Sequence, residues 1–145
     1  MKRIKPYCIL GIAGLLLLAI SFFLPSQTVD VHFHDTYFVM TIPYAFRNMA
    51  CLLLALFALS TLLAGKLRNR ILSLLHVFLT VLTVLIATFS LYRVSIAYHP
   101  SFSDMTSYET NNNILAIVIL SFLLAQILFI VNLIIGVTNY GSNSR

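Results

Sequence analysis

Charge is what this sequence has least of. Only 9% of its 145 residues are Asp, Glu, Lys or Arg, and just four of those are acidic. A soluble domain of this length needs a polar surface that so few charges cannot supply. With 60% hydrophobic residues and a mean hydropathy of +0.97, most of the chain is expected to be solvated by lipid. Cysteine is equally sparse. Cys8 and Cys51 fall in predicted helices near opposite ends of a membrane, so no disulfide is expected between them. Both are read as buried structural thiols, the usual habit of free cysteine. The chain has no phosphate-binding loop, no catalytic triad, no Cys-x-x-Cys pair and no helical His-Glu-x-x-His. A non-catalytic protein is the expectation.

What is present is apolar runs. About 20 residues of helix cross a hydrocarbon core of roughly 30 Å, and four runs of that order lie at about 7–24, 37–64, 71–97 and 114–137. The fold expected is all-α: one membrane domain over residues 1–145, a bundle of four antiparallel transmembrane helices running up-down-up-down. Loops fall at 25–36 and 98–113, and a tight basic turn at 65–70. The basic head Lys2, Arg3, Lys5 followed by an uncharged run resembles a signal peptide. The run ends at Phe22-Phe23-Leu24-Pro25 without a small-x-small cleavage site, so an uncleaved first helix is expected. Asp35-Thr36 are suitable N-cap residues for the second helix, which Pro43 should then kink. Asn111, Asn112 and Asn113 should open the fourth helix, and residues 139–145 read as a loose polar tail.

The net charge of +5 is sorted by position, which is a topology signal rather than a nucleic-acid one. Lys2, Arg3, Lys5, Lys66, Arg68, Arg70 and Arg145 share one side with both termini; Asp30, Asp35, Asp104 and Glu109 share the other. The positive-inside rule places both termini in the cytoplasm and the two acidic loops outside, for a protein of the cell (inner) membrane.

The chemistry concentrates in residues 29–40. His32, His34, Asp30 and Asp35 lie within six residues, and Val29, Val31 and Phe33 alternate with Asp30, His32 and His34. That period of two suggests a short extended segment on the membrane surface. With His99, these histidines and acids form a candidate outer-face metal set of His34, Asp35, His32 and His99, suited to a divalent transition metal. A solvated polar loop is the competing reading. Arg47 and Arg93 each interrupt an apolar run and are expected to snorkel to headgroups, to pair with Asp35, Asp104 or Glu109, or to clamp a lipid phosphate. His76 is expected as a hydrogen-bonded packing residue, and Gln126 and Asn132 as bonds between helices.

His34-Asp35-Thr36-Tyr37-Phe38-Val39 resembles the signature at the outer start of the tenth helix in the catalytic subunit of haem–copper oxidases. In that family the first His and Asp lie near the haem propionates and a non-redox metal, and two histidines further along bind the haem irons. Here Ile42 and Tyr44 stand at those two positions, with Pro43 between them. Four histidines in the whole chain cannot supply the family's haem and copper ligands, and four helices fall well short of its twelve or so. The resemblance therefore implies outer-face contacts at His34 and Asp35, not the reaction. The function expected is an accessory or assembly subunit of a larger membrane complex, a respiratory one included. The alternatives are a small haem- or metal-binding membrane protein using outer-face His and Asp, and a minor transporter or channel component. Lipid and other membrane subunits are the partners expected.

Overall fold

The structure, a computed structural model, describes residues 5–33, 36–67, 69–97 and 105–142. Helix α1 covers Cys8–Ser21, strand β1 Thr28–Phe33, strand β2 Thr36–Thr41, α2 Ile42–Leu62, α3 Arg70–Ala97 and α4 Met105–Ser142. The protein is thus mainly helical. Three stretches are long and apolar enough to cross a membrane: Ile42–Leu62, Arg70–Arg93 and Asn113–Thr138. The fourth helix of the expected bundle, α1, has 14 residues. At 1.5 Å per residue that is about 21 Å, short of a hydrocarbon core of roughly 30 Å.

The second helix does not begin where Asp35-Thr36 suggested. Residues 36–41 instead pair antiparallel with 28–33, from Phe33 opposite Thr36 to Thr28 opposite Thr41. The physical reason is local. Thr36-Tyr37-Phe38-Val39-Met40-Thr41 is β-branched and aromatic, and the alternating segment before it supplies a matching ladder. A helix through Pro43 would lose an N–H and suffer a clash worth about 3 kcal/mol. By starting at Ile42, α2 places Pro43 in its first turn, where the missing N–H had no helical partner to lose. So Pro43 starts the helix rather than kinking it. The Ile42 N–H donates to the Gln27 carbonyl at 3.0 Å, closing the base of the hairpin just as the helix begins.

Helices α1 and α2 pack closely because α1 carries glycines on the shared face. A Cβ on Gly11 would lie 3.1 Å from the Phe57 ring, and one on Gly14 would lie 3.0 Å from Leu54 Cγ and 3.3 Å from the Ala50 carbonyl. Small residues let helix backbones approach in this way. As the α1 number rises from 11 to 14, its α2 neighbour falls from 57 to 54, so the two helices run in opposite directions. The core joins Leu10 and Leu17 of α1 with Ile42, Phe46, Ala50 and Leu53 of α2, and with Val77 and Val84 of α3.

Helix α3 has two buried stripes. Val77, Val81, Val84 and Leu91 pack on the α1–α2 core. One residue back, about 100° round the helix, His76, Thr80, Thr83 and Ala87 are also buried. Its main partner is α4, while its contact with α2 is thin and that with α1 thinner. Asn69 caps its N-terminus, its Oδ1 accepting from Ile71 N–H at 3.0 Å and Leu72 N–H at 3.3 Å.

Helix α4 is longer than its apolar run. It extends back through Asn111, Asn112 and Asn113 to Met105, and forward to Ser142. The outer loop expected at 98–113 and the loose tail expected from 139 are therefore helical over 105–113 and 139–142. Once the apolar stretch is helical, each added residue gains a backbone bond without a new nucleus, so polar flanks are drawn in.

Candidate functional site

The hairpin carries the sequence's most distinctive residues. Asp30 lies opposite Val39, Val31 opposite Phe38 and His32 opposite Tyr37 in the ladder. Thr36 to Val39, which the oxidase resemblance would place at a helix start, are strand. Of the proposed metal set, His32 is in β1, whereas His34, Asp35 and His99 lie outside the described residues. Of the proposed ion-pair set, Asp35 and Asp104 lie outside them too.

The two arginines are exposed. Arg47, in the second turn of α2, holds its guanidinium carbon 4.9 Å from the centre of the Phe22 ring, just beyond the end of α1. A cation over an aromatic face is attracted by the ring quadrupole. Arg47 thus pins the C-terminal end of α1 to α2 beside the hairpin. Arg93 lies near the C-terminal end of α3. Neither cysteine fits a buried thiol: Cys51 is exposed and Cys8 half-buried, and both are free.

The connected polar chemistry lies between α3 and α4. Asn132, 1% exposed, accepts from the Asn69 N–H at 3.0 Å. It donates to the Asn69 carbonyl at 3.0 Å and to Ser73 Oγ at 2.8 Å. Seven residues along α3, His76 is 2% exposed, and its Nδ1 meets the Ala125 carbonyl at 2.9 Å. A carbonyl only accepts, so Nδ1 carries the proton and, in the neutral ring, Nε2 is left as a lone-pair acceptor. Phe129 packs on the imidazole, ring centres 5.0 Å apart and planes tilted by 42°. Residue 69 meets 132 and residue 76 meets 125, so α3 and α4 also run in opposite directions.

The expectation of a bond between helices holds for Asn132. Both His76 Nε2 and Gln126 Nε2 are buried without a hydrogen-bonding partner among the described residues. The neighbouring hydroxyls are already engaged. Thr83 donates to the Leu79 and Thr80 carbonyls, both at 2.9 Å, and Thr88 to the Val84 and Leu85 carbonyls at 2.9 and 3.0 Å. Such bonds back to the same helix are what threonine does in an apolar setting. Thr80, fully buried, lies 3.5 Å from His76 Nδ1. The expectation of His76 as a hydrogen-bonded packing residue holds. The useful signal was its spacing of seven from Asn69, a cap residue, matched by the seven between Ala125 and Asn132.

No family model matches the chain, and neither a curated protein nor a solved structure is similar to it.

Proposed function

We propose that the protein is a non-catalytic, multi-pass membrane subunit whose β1–β2 hairpin serves as a recognition element for a larger membrane complex. In this reading the four helices cross the cell membrane alternately, α1 with help from its flanking residues. Both termini and the 65–70 turn face the cytoplasm, and the hairpin faces outward. The sorting of Lys2, Arg3, Lys5, Lys66, Arg68 and Arg70 to one side supports that orientation.

The observation that carries the functional reading is the hairpin itself. Thr36 to Val39, part of a run that looks like an oxidase helix start, instead lie in one strand of a two-stranded ribbon, closed at its base by the Gln27–Ile42 bond. Among the described residues its sheet has two strands, so each strand keeps one edge unpaired there. Such edges present backbone donors and acceptors to a partner strand. Tagged protein purified in mild detergent should carry partner subunits. Val31→Pro removes an N–H from the ribbon and should release those subunits while helix content by circular dichroism stays unchanged. Wild-type protein that consistently runs alone as a monomer would remove the support for this reading.

A further inference from the structure

Helix α2 is long and apolar enough to cross a membrane, yet its hairpin end carries a polar stripe. Tyr44, Arg47 and Asn48 are all exposed, and spacings of three and four put them on one side of the helix. Arg47 is the one charged residue of α2. Among the described residues none of these three side chains makes a hydrogen bond or an ion pair, and the guanidinium meets only the Phe22 ring, at 4.9 Å. That contact supplies no hydrogen-bond acceptor of the usual kind, so the N–H donors of Arg47 are left to be satisfied from outside. A charge on the lipid-facing side of a membrane helix is costly without a partner.

The position of the stripe suits a headgroup. Arg47 lies about 7.5 Å along α2 from Ile42 at 1.5 Å per residue. Helical side chains lean toward the N-terminus, here the hairpin end, so the long stem carries the cation toward the membrane boundary. Tyrosine favours the same level. Deeper in the membrane the same face continues through Ala55, Leu59 and Leu62, all exposed and apolar. We propose that Tyr44, Arg47 and Asn48 bind the phosphate of one phospholipid in the leaflet on the hairpin side, its acyl chains lying along Ala55, Leu59 and Leu62. The guanidinium fork matches phosphate oxygens two at a time, and Phe22 positions it. The site rests on α2 crossing the membrane, and not on the hairpin's partner or on which leaflet faces the cytoplasm.

The test titrates the full chain in dodecyl maltoside micelles with phosphatidylglycerol, and with diacylglycerol of the same acyl chains as a phosphate-free control. Native mass spectrometry counts the bound lipid. The wild type should hold one phosphatidylglycerol tightly and no diacylglycerol, and Arg47→Leu should weaken the binding about tenfold or more. Equal binding of the two lipids would overturn the proposal, as would phosphatidylglycerol binding that Arg47→Leu leaves unchanged. A second measurement does not need that variant to fold. In phosphatidylglycerol bilayers, protein labelled with ¹³Cζ-arginine should show dipolar coupling between lipid ³¹P and an arginine signal that is missing from Arg47→Lys. Absence of that coupling would also overturn the proposal. Neither readout changes if the hairpin has no partner.

Discussion

The α1–α2 and α3–α4 pairs are both antiparallel, yet they are held by different physics. In the first, Gly11 and Gly14 bring two backbones together over apolar side chains, and dispersion does the work. In the second, Asn132 and His76 reach across to backbone groups, and the seam is fixed by hydrogen bonds. Close packing tolerates no added volume at its glycines but makes few demands on composition elsewhere. A polar seam depends instead on matching donors with acceptors, as Asn132 does with Asn69 and Ser73. Helix α3 serves both pairs because its two buried stripes lie about 100° apart, one of Val77, Val81 and Val84 and the other of His76, Thr80 and Thr83.

Substitutions can break this contrast, beginning with the tightest contact. Gly14→Leu forces a side chain against Leu54 and the Ala50 carbonyl and should destabilise the protein by about 2–3 kcal/mol, the upper part of the overpacking range. Reversible unfolding in detergent mixtures would measure it, and an effect below about 0.5 kcal/mol would show the pair to be loosely packed. Asn132→Leu keeps the volume but strands the Asn69 N–H and carbonyl. A loss of about 1–2 kcal/mol is expected by the same assay, because buried groups are left unsatisfied. A double-mutant cycle between Ser73→Ala and Asn132→Ala sharpens the comparison by isolating one bond. Its coupling should be about 0.6 kcal/mol, the average for hydrogen bonds between membrane helices. The smallest effect belongs to Arg47→Leu. Removing an exposed cation from Phe22 should cost about 0.5 kcal/mol and leave the hairpin's circular dichroism intact.

Much of the fold was legible because apolar runs in a charge-poor chain report membrane-length helices directly. Arg70–Ala97 matches the expected 71–97 almost to the residue, helped by the Asn69 cap that marks its start. The errors share one cause. Residues 36–41 look helical from the apolar run and the N-cap character of Asp35-Thr36, yet Thr36, Val39 and Thr41 are β-branched and Pro43 suits a first helical turn. At the other end, the polar character of Asn111 to Asn113 was taken for a boundary, although a long helix can carry such residues past its apolar segment. The candidate site was less legible. His32 and His34 stand out by their clustering in the sequence, whereas the buried His76 is solitary there and meets its partners through the pairing of α3 with α4. A metal content assay with an absorbance spectrum would address the clustered set directly: a Soret band or stoichiometric metal lost in His34→Ala would assign a ligand there.

We propose that the hairpin stands outside the membrane, opposite the basic turn. In a background of Cys8→Ser and Cys51→Ala, single cysteines at Thr28→Cys and Lys66→Cys can be probed in intact cells with a membrane-impermeant maleimide. Residue 28 is expected to be labelled in intact cells and residue 66 only after permeabilisation. Labelling of residue 66 in intact cells, with residue 28 protected until permeabilisation, would contradict it.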